Sequence, residues 1–319
     1  MNPISNIKNS KVILSALDWG FGHTTRCIPI IRTLAENKNE IHIAGNQNQI
    51  DFYQKEFPEL FFHYLEGYNI TLDDSKNTYW QLLLQKNKLS KTISRENKFL
   101  NELNTTHSFD FIISDNRYGF HLKDVTSYII CHQLNLQVPI GGKISNKFHH
   151  GLLSKFDACL VPDFEDRRLT KELSHASLKI PIIYIHPLCR FLKDENLEIK
   201  YDFCVIISGP EPARSNFFRK IESWSNQQIG KRVIIIGALA SGTEVLEYMP
   251  KPTSLELNTI INQSNHIISR AGYTTIMELF SLNKKATLIP TKGQYEQEYL
   301  ASNLKLPGIQ FRSESSFFS

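Results

Sequence analysis

Apolar bursts of strand length recur along the chain at 12–17, 41–44, 61–65, 109–114, 127–131, 158–161 and 182–185, with amphipathic segments of helix length between them. Strands alternating with helices build βαβ units around a parallel sheet. The rhythm pauses at 187–198, a proline-led, charged stretch that reads as a linker. It resumes at 201–208, 232–236, 266–269 and 286–289, and a last burst follows at 308–311. The pattern predicts an α/β chain of two doubly wound, Rossmann-like domains, 1–195 and 196–319, facing each other across a cleft. In such sheets ligands sit outside the carboxyl ends of the strands.

Composition narrows the picture. With 319 residues, 41% hydrophobic and 21% charged, the chain is long enough for two cores and too apolar for disorder. A formal charge of +4 without a dense Lys/Arg block gives no case for a nucleic-acid partner and suits a phosphate-bearing small molecule. Cys27, Cys131, Cys159, Cys189 and Cys204 are scattered and form no metal-ligand spacing, so they read as core thiols of a reduced compartment. Neither a secretory leader nor a run near the ~18 apolar residues of a membrane span is present, and a cytoplasmic location is expected. The helix-like stretch 82–103 carries Lys86, Lys88, Lys91, Arg95 and Lys98 among apolar residues. Such a face is either solvated or rests on anionic lipid. Lys143, Lys147, His149 and His150 predict a second basic loop, and both places admit an anionic or lipid-linked partner and peripheral membrane contact.

Candidate chemistry gathers where strands end. The burst at 266–269 leads into Ser269-Arg270-Ala271-Gly272-Tyr273-Thr274-Thr-Ile-Met-Glu278, then through a strand to Pro290, Gln294 and Gln297. A glycine at a strand-to-helix turn lets a ligand approach the backbone, and the N–H groups of the helix start attract phosphate oxygens. Glu278 then either offers an acceptor to that ligand or closes a capping box with Thr275. Near the N-terminus, Gly20-Phe-Gly22-His23-Thr-Thr-Arg26 makes a second tight turn and sets His23 at a helix start, where the helix dipole disfavours imidazolium. Asp115, in Ser114-Asp115-Asn116-Arg117, ends a later strand of the same domain. It either caps the next helix or orients His23 as a general base. Ser208-Gly209-Pro-Glu-Pro-Ala-Arg214 has the shape of a diphosphate cradle, although two prolines remove N–H donors.

Together these segments resemble the glycosyltransferase family 28 type of GT-B protein, the family of the peptidoglycan UDP-N-acetylglucosaminyltransferase, and are closer in wording to an uncharacterised bacterial branch. The resemblance runs through nearly the whole chain in order. Gly20 to Arg26 is similar to the family's N-terminal glycine loop. His132 and Asn135, in Cys131-His-Gln-Leu-Asn135, fall where its His-Glu-Gln-Asn segment lies. Ser208 and Gly209 are similar to its phosphate loop, and Ser269 through Gln297 to its nucleotide-sugar signature.

The resemblance implies an inverting, metal-independent transferase, without a cofactor, that moves a sugar from a UDP-sugar, UDP-N-acetylglucosamine among the candidates, to an acceptor hydroxyl. The acceptor would be a glycan, a lipid-linked sugar of the cell envelope or a small molecule. In this expectation His23 and Asp115 are catalytic, and Gly20, Gly22, Arg26, Asn116, Arg117, His132 and Asn135 lie on the acceptor side. Ser208, Gly209, Arg214, Arg270, Ala271, Gly272, Tyr273, Thr274, Glu278, Gln294 and Gln297 hold the donor, with Glu278 on the ribose and Gln297 on the sugar. The sequence departs from the family at Gly209-Pro-Glu-Pro, which replaces a glycine-rich loop, and at Tyr295-Glu296, where an Asp is usual. Few residues follow the last strand. A nucleotide-sugar hydrolase or epimerase on the same fold, or a non-catalytic binding subunit, are the alternative functions.

Overall fold

The computed structural model describes residues 2–68, 86–136, 142–238, 240, 242–243 and 245–319. The chain divides into two units, Met1–Leu188 and Cys189–Ser319.

The first unit is built on a seven-stranded sheet in which every pairing is parallel. Its elements run β1 (Lys11–Ala16), α1 (Phe21–Arg26), α2 (Ile28–Glu36), β2 (Glu40–Gly45), α3 (Gln47–Glu56), β3 (Phe61–Tyr64), α4 (Lys86–His107), β4 (Phe111–Asp115), β5 (Thr126–Ile130), α5 (Gly142–Leu153), β6 (Ala158–Val161) and β7 (Ile182–Tyr184). The strand order β3-β2-β1-β4-β5-β6-β7 reverses direction between β1 and β4. That reversal parts the two following connections and leaves a crevice beyond the strand ends, the place where open α/β sheets take ligands. Ala16 of β1 and Asp115 of β4 are register partners at this point.

Local chemistry sets the helices. Pro29 occupies the first turn of α2, where its missing N–H costs nothing, and Ile28, Ile31 and Leu34 put an apolar stripe into the core. Asn46 and Gln49 form a reciprocal capping box at the start of α3. α4 lays Leu100, Phe99 and Leu103 over Ile13, Ile112 and Phe120. Its basic residues answer the question left by the sequence in part: Arg95 pairs with Glu66, and Lys98 lies 3.7 Å from Glu102 one turn on. Positions 82–85 of that stretch lie outside the described residues. Lys143, Lys147, His149 and His150 sit on α5 and not in a loop, because Leu152, Leu153 and His149 form a buried face at helical spacing. Among the described residues no helix is long and apolar enough to cross a membrane.

The second unit repeats the plan with six parallel strands in the order β10-β9-β8-β11-β12-β13. These are β8 (Tyr201–Ile206), β9 (Val233–Ile236), β10 (Leu246–Met249), β11 (Ser264–Arg270), β12 (Ala286–Ile289) and β13 (Ile309–Phe311). The helices are α6 (Ala213–Ser225), α7 (Ser254–Asn262), α8 (Tyr273–Ser281), α9 (Tyr295–Asn303) and α10 (Glu314–Phe317). The switch point falls between β8 and β11. Val205, Ile235, Ile268 and Ile289 from four strands pack with Phe217 and Ile221 of α6, and Phe317 and Phe318 close the cluster. The stretch after Leu188 is fastened to α7: Leu192 N donates to Asn258 Oδ1 at 3.0 Å and Asp194 N to Asn262 Oδ1 at 3.1 Å. Residues 189–195 therefore pack with the second unit.

Candidate functional site

In the first unit, β1 ends and Gly20 takes φ 77°, a left-handed conformation that admits the turn into α1. The turn places His23 and Arg26 on the inner side of α1, opposite the end of β4. His23 Nδ1 lies 2.8 Å from Asp115 Oδ1. Arg26 Nε donates to Asp115 Oδ2 at 2.5 Å, and its Nη2 donates to Oδ1. Arg26 Nη1 lies 3.2 Å from His132 Nδ1. Asp115 and Arg26 are buried, whereas the His23 side chain is 16% exposed, the one member of the group with a face toward solvent.

Electrostatics follows from that geometry. Burial opposes ionisation of Asp115, but the charges of Arg26 and His23 outweigh it and hold the carboxyl well below its usual range. For His23, burial and the Arg26 charge outweigh the attraction of Asp115 and lower its pKa below 6.5. The imidazole is therefore neutral near pH 7. His23 Nδ1 faces both the ionised Asp115 Oδ1 and, at 2.9 Å, Arg26 Nη2; the tautomer that donates Nδ1–H to the carboxylate leaves the lone pair on Nε2, which suits a general base.

The other residues expected on this side separate. His132 joins the group through Arg26. Asn116 takes φ 59°, and its buried Oδ1 finds no hydrogen-bond donor. Arg117 turns inward: its Nε donates to Glu96 at 2.6 Å and its Nη2 to Glu66 O at 2.9 Å, with both charged side chains fully buried. Asn135 fixes its own loop, with Oδ1 accepting from Asn146 at 2.8 Å.

In the second unit, Gly272 is the N-cap of α8, and no side chain caps that end. A Cβ added at Gly272 would meet nothing within 4 Å, so the space above this backbone is open. The capping-box alternative fails here, since α8 starts two residues before Thr275 and Glu278 points elsewhere. Glu278 Oε1 lies 2.9 Å from Arg190 Nε, in ion contact without hydrogen-bond alignment, so this buried oxygen lacks a hydrogen-bond donor. Burial raises the Glu278 pKa, against the pull of Arg190.

Gln297 accepts from Thr291 N at 2.9 Å and donates to Gln294 Oε1 at 2.6 Å, so the two glutamines form one polar edge beyond β12. Ala271 is buried at the β11 end, Tyr273 is buried and Thr274 half-buried in the first turn of α8. Ser208 and Gly209 are exposed beyond β8, with Gly209 at φ 104°. Arg214 donates to Gly237 O at 2.5 Å. Arg270 is turned into the core: it stacks 4.0 Å over the Phe217 ring and lies 2.5 Å from Glu314. Glu211 Oε2 accepts from Ser215 N at 3.1 Å, so the chain's own carboxylate occupies the start of α6 where the sequence predicts a diphosphate.

Residues 226–308 match the glycosyltransferase family 28 C-terminal domain. A Methanosarcina acetivorans protein described as an uncharacterized glycosyltransferase is 24% identical over 330 residues, covering 93% of this chain and 84% of its own. Its counterpart in Methanosarcina mazei is 22% identical with the same coverage. Among solved structures, Arabidopsis thaliana UGT89C1 complexed with UDP-L-rhamnose superposes with a TM-score of 0.63 at 10% identity, covering 98% of this chain and 88% of its own. The spinosyn rhamnosyltransferase SpnG complexed with thymidine diphosphate gives a TM-score of 0.61 at 11% identity, covering 92% of this chain and 84% of its own. The chain has the GT-B fold, and its residues 226–308 are similar to the glycosyltransferase family 28 C-terminal domain.

Two features of this GT-B protein escape its sequence. Arg190 falls in the stretch read as a linker, and only the fold carries it to Glu278. Arg26 was legible as part of the glycine loop, but its two-pronged hold on Asp115 joins residues 89 positions apart.

Proposed function

We propose that this protein is an inverting glycosyltransferase that needs no metal for transfer and takes its sugar from a UDP-sugar. UDP-N-acetylglucosamine is the first donor to test. The observation that carries this reading is the neutral His23 held by Asp115 at the carboxyl end of β1 and β4. In the proposed reaction, His23 Nε2 removes the proton of an acceptor hydroxyl as the oxygen attacks the anomeric carbon. Asp115 stabilises the imidazolium that forms. The bond to the diphosphate breaks with inversion, and the helix start after Gly272 stabilises the negative charge that develops on the leaving group. Glu278 accepts from the ribose hydroxyls, which supplies the donor that its buried oxygen lacks.

Independence from a metal rests on the family resemblance and on a sequence without an Asp-x-Asp motif. The acceptor is an alcohol on a glycan, a lipid-linked sugar or a small molecule. The test is to incubate the purified chain with a panel of nucleotide sugars, following melting temperature and free UDP. Stabilisation by UDP-sugars that Glu278→Ala abolishes is the expected result. A melting temperature indifferent to every uridine nucleotide would overturn the donor assignment. UDP released at full rate without any acceptor would mark a hydrolase instead.

A further inference from the structure

Three histidines far apart in sequence meet at the opposite end of the first sheet from His23. His42 lies near the start of β2, His63 is on β3, and His107 is the last residue of α4. Each offers one ring nitrogen, and the three nitrogens lie within 4.8 Å of one another. His42 Nδ1 is already 2.8 Å from His63 Nε2. The register places the cluster: Lys11 opens β1 beside Glu40, whereas the catalytic edge begins where Ala16 meets Asp115.

We propose that His42, His63 and His107 bind a divalent transition-metal ion of the zinc type, with a site separate from the transfer chemistry. Three imidazoles with an open fourth position are a familiar donor set for such ions. The surroundings supply the outer part of such a site. His42 Nε2 lies 2.9 Å from Glu40 Oε1, and Lys11 holds that carboxylate at 3.0 Å. A carboxylate on the far nitrogen fixes Nε2 as the protonated one and turns the Nδ1 lone pair toward the other two rings, the arrangement that orients metal-bound histidines.

The rings of Phe61 and Phe109 flank His42 at 4.7 and 5.0 Å and restrict its rotation. Burial lowers the pKa of His42, and lowers that of His63 to about 4, so both are neutral and fit to ligate near pH 7. With zinc–nitrogen bonds of about 2.0–2.1 Å, tetrahedral ligands stand about 3.4 Å apart, a spacing that needs only small ring movements here. His63 must carry its proton on Nδ1 in the bound state, leaving Nε2 for the metal. That tautomer change alters no net charge.

A stacked patch of rings without metal affinity is the competing account, and a metal titration separates the two. Co2+ added to the full chain should give the visible absorption of a tetrahedral site at one ion per chain, and Zn2+ should displace it. His63→Ala and His107→Ala, both at half-buried side chains, should each weaken Zn2+ binding at least tenfold in competition with a chromophoric chelator. Glu40→Gln should weaken it roughly tenfold, the size expected for an outer-shell partner. Zn2+ should also raise the melting temperature of the native chain and not that of the double variant, whose metal-free circular dichroism should match the native protein. Failure of Co2+ and Zn2+ to bind one-to-one would overturn the proposal, and so would undiminished binding to the His63→Ala, His107→Ala double variant.

Discussion

Arg26 grips both carboxylate oxygens of Asp115, with Nε 2.5 Å from Oδ2 and Nη2 on Oδ1, the oxygen that His23 Nδ1 reaches at 2.8 Å. Asp115 therefore serves two masters. Its charge is neutralised mainly by Arg26, so it can orient the imidazole without forcing it into the cationic form. In the proposed reaction Arg26 is therefore a positioning residue, too deeply buried to meet a substrate.

His23→Gln keeps a polar side chain at the turn and removes the base. We expect kcat to fall by about 10²–10⁴-fold, the usual worth of a general base. Donor-induced stabilisation should persist, because the residues proposed to hold the donor belong to the other unit. Steady-state kinetics beside a melting curve check both halves, and an unchanged kcat would remove His23 from the mechanism.

The pH profile carries the sign of each neighbour's charge. A base acts when neutral, so kcat/KM should rise with pH through a His23 pKa below 6.5. Arg26→Gln deletes a cation that disfavours imidazolium, so the pKa rises and the acidic limb moves to higher pH. Asp115→Asn deletes an anion that favours it, so the limb moves to lower pH. Both profiles, measured with one donor, should shift in opposite directions. Limbs that stay in place would show that another group titrates.

A substitution at Gly272 tests the proposed donor site apart from folding. Its φ of −71° suits any residue, and an added Cβ meets no atom within 4 Å. Gly272→Ala should leave thermal stability within about 1 kcal/mol of the native chain, since no strain is introduced. A ligand that lies against the backbone would be pushed off by the methyl group, so UDP-sugar affinity should drop tenfold or more by calorimetry. Equal affinity would mean that no ligand approaches this turn.

Strand order, and with it both switch points, is set by packing, but the architecture was legible because strand cores are apolar runs: the β1, β4, β8 and β11 segments all announce themselves. β10 was not, since Glu247 and Tyr248 interrupt the run in a strand on the sheet edge. In the site, Gly20 was visible from its type because its turn needs a positive φ, and Gly272 because a strand-to-helix turn without a side chain leaves the backbone open. Partnerships were not. Arg117 and Arg270 look like ligand cations in sequence, yet Glu96 and Glu314 claim them across 21 and 44 positions, and only packing decides between a buried pair and an open charge. The same limit hid the meeting of His42, His63 and His107.

Glu211 offers the sharpest test of the diphosphate loop. Its carboxylate sits at the start of α6 and accepts from Ser215 N, a contact that holds its pKa below the usual value. A helix start attracts anions, and one site cannot favourably hold two of them. A diphosphate bound beside Ser208 and Gly209 must therefore displace Glu211 or bear its repulsion. Glu211→Ala removes that competitor while the exposed loop keeps its backbone, so UDP should bind several-fold more tightly, most visibly at low salt where charge repulsion is least screened. Glu211→Asp, a charge-preserving change, should show no such gain. An affinity that Glu211→Ala leaves untouched would place the phosphates at the start of α8 alone and assign Glu211 a purely capping role.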